Sequence, residues 1–222
     1  LTVAPPVPTA RPSAAVEEPE PRADGRLPST VQPTSYRLDL ELDPAEASFH
    51  GQVAIDVELA RPTATIVLHG IDLAIRQAEI RVGEQRIAAI ASCRDGSGSG
   101  EPDPTMAGEL CLTMDEAVPA GAARLEIRYD GVLGTQGRGI YRVAQDGRQF
   151  VFTQFEPSDA RRMLPCFDEP GFKTPFELTV TLPAGNVVVS NAPEESATEL
   201  GGGRVRHAFA PTKPMPTYLL AL

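Results

Sequence analysis

Histidine, cysteine and lysine are scarce in this 222-residue chain, and each shortage removes a class of chemistry. The three histidines, His50, His69 and His207, lie far apart and form no HExxH pair, so the sequence carries no zinc-binding helix of that type. His50 and His69 each stand beside a glycine or one residue before it at an expected strand end, and His207 lies in an alternating run; surface or turn positions are expected for all three. Cys93, Cys111 and Cys166 share no CxxC or CxxH spacing, which excludes a disulfide framework and a structural zinc cluster. A Cys93–Cys111 bridge stays open as an alternative, with two free buried thiols as the preferred reading. Only Lys173 and Lys213 are lysines among 20 basic residues, which reads as coding bias. No serine stands in a GxSxG elbow. The glycine-rich stretch 131–139, GVLGTQGRG, lacks the GK[ST] ending of a phosphate loop and leads into a strand. No apolar run approaches the roughly 18 residues of a membrane-spanning helix. The net charge of −10 repels phosphate backbones, so nucleic acid is not an expected partner.

Apolar residues at 41% and charged residues at 23% are ordinary for a globular domain with a real core. The first 28 residues are a separate zone. Eight of the 22 prolines fall within the first 33 positions, mixed with Ala, Glu and Arg, and such a segment cannot bury enough apolar surface to offset its ordering entropy. Residues 1–28 are therefore expected to be a disordered leader and 29–222 a folded domain. The leader points to export, periplasmic or extracellular, with a cytoplasmic location or a processing remnant as alternatives.

Period-two alternation begins at residue 34. Tyr36, Leu38, Leu40 and Leu42 alternate with Arg37, Asp39, Glu41 and Asp43, and over 49–59 the apolar set is Phe49, Val53, Ile55, Val57 and Leu59. Further strands are expected over 65–69, 73–82, 85–92, 110–114, 124–129, 140–144, 149–155, 176–182, 187–190, 205–210 and 218–222. Gly83-Glu84 and Asp146-Gly147 read as turns, and 95–104 as a mobile loop. Helical periodicity is confined to one possible turn near 158–162. The expectation is an all-β, multi-sheet antiparallel sandwich. The chain stops inside the apolar run 218–222, where domain ends seldom fall, so truncation is expected.

The most informative stretch is 153–176, dense in proline, paired charges and aromatics. Within it Glu156 follows a strand and precedes Pro157, which removes a backbone donor and fixes the turn. A carboxylate held stiffly at a strand end suits recognition of an ammonium group, because charge-assisted hydrogen bonds are short and strong. The residues alone leave a second reading open, in which Glu156 pairs with Arg161 or Arg162 and is purely structural; on periodicity alone this is the commoner outcome.

The run TQFEPSDARRMLPCFDEPGFK (153–173) is similar to the signature that closes the N-terminal domain of M1-family, aminopeptidase N-like zinc metallopeptidases. GRGIYR (137–142) resembles the segment before it. Leu27-Pro28, Val31-Gln32-Pro33 and Tyr36-Arg37-Leu38 resemble the family's opening strand, and Phe49-His50-Gly51 with Val53 its next. The matches follow the family's order from about Leu27 to Leu222.

The resemblance implies a saddle-like β domain docked, in the parent enzyme, against a catalytic domain that is missing here. It implies a zinc aminopeptidase that removes N-terminal residues from peptides. Glu156 matches the residue that binds the substrate's free α-amino group, and Gln154 one that lines the pocket for the first side chain. Asp159, Arg161, Arg162, Asp168 and Glu169 match positions expected to brace the segment. The GxMEN loop, the HExxH helix with its downstream glutamate and the catalytic tyrosine would lie past Leu222. The resemblance thus assigns zinc to the parent, with no catalytic or metal residue in this chain, which is expected to be inactive alone. A non-catalytic interaction scaffold of the same fold is the alternative. A free-standing adhesion module would predict a polar C-terminus.

Overall fold

A computed structural model describes residues 26–94 and 108–222. The leader expected over 1–28 lies mostly outside them, as does the loop expected over 95–104. At the leader's end Leu27 is buried, and its N–H donates to the Glu169 carboxylate.

Thirteen strands occur among the described residues: β1 (Val31–Leu42), β2 (Ser48–Leu59), β3 (Thr63–His69), β4 (Ala74–Val82), β5 (Gln85–Ala88), β6 (Ile90–Arg94), β7 (Glu109–Val118), β8 (Gly121–Val132), β9 (Gly139–Gln145), β10 (Arg148–Gln154), β11 (Phe176–Pro183), β12 (Glu194–Leu200) and β13 (Arg204–Phe209). An eight-stranded sheet runs β12-β13-β11-β1-β2-β8-β4-β5, a three-stranded sheet β3-β7-β6, and β9-β10 form a hairpin. The all-β, multi-sheet expectation stands, with one refinement. The large sheet is mixed, because β1 and β11 run parallel, Tyr36 opposite Phe176. Parallel neighbours need a long crossover, and some 130 residues separate these two.

Alternation explains the long strands. In β2 the buried set Phe49, Gly51, Val53, Ile55, Val57 and Leu59 lies on one face, and its partners Leu125, Ile127 and Tyr129 in β8 share that side. Two reciprocal pairs lock the register. Gly51 opposes Tyr129 and Gly131 opposes Phe49, and a Cβ at either glycine would fall inside the facing aromatic ring. The two rings meet edge to face with centroids 6.3 Å apart. In β3, residues 65–69 are buried without alternation, so both faces are covered.

The structure departs from the sequence reading at several elements. The strand expected over 85–92 breaks at Ala89 and enters two sheets as β5 and β6. Residues 187–190 join no ladder and expose Val187 and Val189, whereas β12, with every residue exposed, is a strand. Residues 217–219 form a 3-10 turn in place of a strand. Cys93 is exposed and Cys111 buried, and neither forms a disulfide, so the buried-thiol reading holds for Cys111 alone.

The expectation of surface histidines is corrected at two positions. His50 is exposed, but His69 and His207 are buried. His69 ends β3 and trades backbone hydrogen bonds with Cys166 at 2.8 and 3.0 Å. Its Nδ1 accepts the Asp168 N–H at 3.2 Å, so the ring is neutral with its proton on Nε2. Burial first, and then the Arg161 guanidinium, push its pKa down to about 3.

Two outcomes follow. Gly51→Ala should cost about 2 kcal/mol by overpacking against Tyr129, whereas Gly171→Ala, where a Cβ meets nothing within 4 Å, should stay near wild type in urea unfolding. The unfolded chain binds a proton at His69 near pH 6.5 and the folded chain only near 3, so stability is intact above 6.5 and falls as pH drops. The slope should be about 1.4 kcal/mol per pH unit, and urea titrations between pH 7 and 4.5 should show it flattened in His69→Asn.

Candidate functional site

The segment 155–175 carries the chain from β10 to β11, the parallel partner of β1, with little regular structure of its own. It is nevertheless deeply buried: Phe155, Ala160, Met163, Leu164, Cys166 and Phe167 are each at most 2% exposed. Its polar groups are met by side chains. The Tyr36 hydroxyl accepts the Phe167 N–H at 3.0 Å, and the Tyr36 ring stacks on Phe176 at 4.7 Å. The buried Asp168 carboxylate accepts Thr217 Oγ1 at 2.6 Å and Arg161 Nε at 3.0 Å. Burial pushes the Tyr36 phenol and the Cys166 thiol well above their ordinary pKa values.

Glu156 lies on a tight turn at the start of this crossover. The Asp159 N–H donates to the Phe155 carbonyl at 2.7 Å, closing the turn between two buried residues. Between them Glu156, Pro157 and Ser158 are exposed, and the Glu156–Pro157 peptide is cis. Arg138 grips Asp159 with two hydrogen bonds, Nη2 to Oδ1 at 2.8 Å and Nε to Oδ2 at 3.2 Å. Arg162 Nε adds a third at 2.9 Å and reaches Asp72 with Nη1 at 2.9 Å. Burial alone would raise the Asp159 carboxyl, yet the bonds from Arg138 and Arg162 outweigh it and hold the group below the usual carboxylate range.

The two arginines that could have neutralised Glu156 are therefore engaged elsewhere, Arg161 on Asp168 and Arg162 on Asp159 and Asp72. Among the described residues Glu156 has no hydrogen-bond or ion-pair partner. The purely structural reading of its charge thus finds no partner here.

Gln154 is the last residue of β10, exposed, and opposite Gly139 in β9. Side chains two apart share a strand face, so Gln154 continues the row formed by Phe150 and Phe152. These two rings are stacked at 6.3 Å, and Tyr141 lies 6.0 Å from Phe152. Phe150 and Phe152 also border a groove of about 390 Å³ with Val187, Val189 and Leu222. Neither Glu156 nor Gln154 lines that groove or the polar basin of about 700 Å³ on the large sheet. The pair sits on open surface.

Of the residues expected to brace the segment, Asp159, Arg161, Arg162 and Asp168 pair with one another or nearby, and Glu169 holds Leu27. Sequence reasoning missed Arg138, His69 and Thr217 as partners; the only hint was Arg138 inside GRGIYR. Among the described residues no three His, Cys, Asp or Glu side chains are grouped to hold a metal ion. No helix there is long and apolar enough to cross a membrane.

Comparison with known proteins completes the picture. The Peptidase M1 N-terminal domain family matches residues 32–219. Aminopeptidase N of Acetobacter pasteurianus is 36% identical over 206 residues, 90% of this chain and 54% of that protein. Aminopeptidase M1-C of Oryza sativa subsp. japonica is 33% identical over 205 residues, 90% of this chain and 22% of that protein. Endoplasmic reticulum aminopeptidase 1 of Homo sapiens is 30% identical over 208 residues, 88% of this chain and 21% of that protein. The chain thus spans about half the length of the first relative and about a fifth of the other two. A match that covers most of the chain shows that it belongs to the Peptidase M1 N-terminal domain family.

Proposed function

We propose that this domain is the amine-anchoring wall of a zinc aminopeptidase, with Glu156 receiving the α-ammonium group of a peptide and Gln154 bordering the pocket for its first side chain. The observation that carries the reading is the unpartnered, exposed carboxylate of Glu156 on a turn whose neighbouring guanidinium groups are all engaged. A second domain closing over this surface would exclude water, and a carboxylate–ammonium contact strengthens as the local dielectric falls. Selectivity for chain ends follows, because an internal amide offers no positive charge to Glu156. The relatives' names, aminopeptidases throughout, support the same activity.

Zinc belongs in this reading to the longer enzyme, where it supplies an activated water. In this reading the role of this domain is binding and orientation. The proline-rich leader supports export of the parent.

In the enzyme that carries this domain, Glu156→Ala should lower kcat/KM for peptides about 10- to 100-fold, mainly through KM, the loss of one charged hydrogen bond. Unchanged steady-state constants would remove the anchor. Metal analysis of the 222-residue chain alone should find no stoichiometric zinc; one zinc per chain would contradict the assignment of the metal to the longer protein.

A further inference from the structure

A free carboxylate three residues from an aspartate that holds two arginines needs an explanation of its own. Arg138 and Arg162 both lie against the strand end that presents Gln154 and Glu156. Arg138 directly precedes Gly139, the register partner of Gln154. The stem of Arg162 covers that glycine so closely that a Cβ there would lie 2.8 Å from Arg162 Cβ. Gly139 has φ of +67°, so the close approach and the backbone both require glycine at this position. Two planar guanidinium groups, built for bidentate capture of carboxylates, thus converge at the turn that carries Glu156. Both instead hold Asp159, three residues further on and nearly buried. The Arg138 side chain is 55% exposed, so its stem is not walled in and it is free to swing if released.

We propose that Asp159 is a positioning residue that keeps Glu156 open by holding Arg138 and Arg162 away from it. The proposal rests on Glu156 being the amine anchor. Without the Asp159 charge, the two guanidinium groups are left with Asp72, which holds only Arg162 and is largely solvated. Glu156 then becomes the near carboxylate. Once captured, it must be released before an ammonium group can bind, and the apparent affinity falls by the fraction that stays open. Asp72 supports the arrangement from the far end of Arg162, so its removal should act in the same direction and more weakly.

The test uses the enzyme that carries this domain and peptides with a free amino terminus. Asp159→Asn keeps the shape and removes the charge. It should raise KM about tenfold with kcat within about twofold, as expected if the captured state holds about nine-tenths of the population. Adding Arg138→Ala and Arg162→Ala to Asp159→Asn should bring KM back toward wild type. A purely bracing role predicts the opposite, since the triple variant has lost still more contacts. In a Glu156→Ala background, Asp159→Asn should add nothing to KM. Asp72→Asn, at an exposed site with φ of 57° that asparagine accepts, covers the case in which Asp159→Asn does not fold. It should raise KM about threefold, as expected if about two-thirds of the population is captured, and the rise should vanish with Arg162→Ala. A triple variant no better than Asp159→Asn overturns the proposal, as does a KM that neither Asp159→Asn nor Asp72→Asn moves while Glu156→Ala raises it. A KM unchanged in Glu156→Ala would remove the anchor, and this proposal with it.

Discussion

A chain that crosses a protein interior with a single 3-10 turn as its only regular structure, here Ala160–Arg162, must find a partner for nearly every polar group it carries, because an unmet buried donor or acceptor costs about 1–3 kcal/mol. That requirement governs residues 155–175. Tyr36 accepts the Phe167 N–H, His69 the Asp168 N–H, and Asp168 gathers Thr217 and Arg161. Each partner comes from a different part of the chain: Tyr36 from β1, His69 from β3 and Thr217 from the final turn. The crossover is a knot of obligations that ties the three-stranded sheet, the hairpin and the large sheet together.

The same network sets the charge pattern at the surface. Arginine is the usual neutraliser of an exposed glutamate; Arg161 and Arg162 follow Glu156 closely in sequence, and Arg138 reaches Asp159 three residues on. All three are occupied by aspartates that the fold needs buried, Asp159 and Asp168. One negative charge is left over, held on a short turn between two buried residues. It faces solvent. On the proposed reading, structural demand and recognition are linked: the bonds that keep the crossover in place are the bonds that leave Glu156 available.

Much of this was legible in the sequence where burial is one-sided. Alternation in β1 and β2 revealed their faces, and the density of proline, aromatics and paired charges marked 153–176. What escaped had no local signal. β12 exposes every residue, so only its ladder to β13 defines it. Residues 187–190 have strand-like composition but no neighbour to pair with. The parallel pairing of β1 with β11 is decided by a contact far apart in sequence. His69 looks like a loop histidine beside Gly70, and only the return of Cys166 and Asp168 shows it to be a buried acceptor. Gln154 and Glu156 were visible as candidates, whereas the pairing of Arg138 with Asp159 needed the fold.

The most direct test is a crystal structure of the enzyme that carries this domain, bound to a peptide analogue with a free α-amino group. The account predicts a Glu156 carboxylate oxygen within about 3 Å of the ammonium nitrogen, with Arg138 and Arg162 still on Asp159. A Glu156 side chain folded back onto either arginine, or an amino group held by other residues while Glu156 faces solvent, would contradict it.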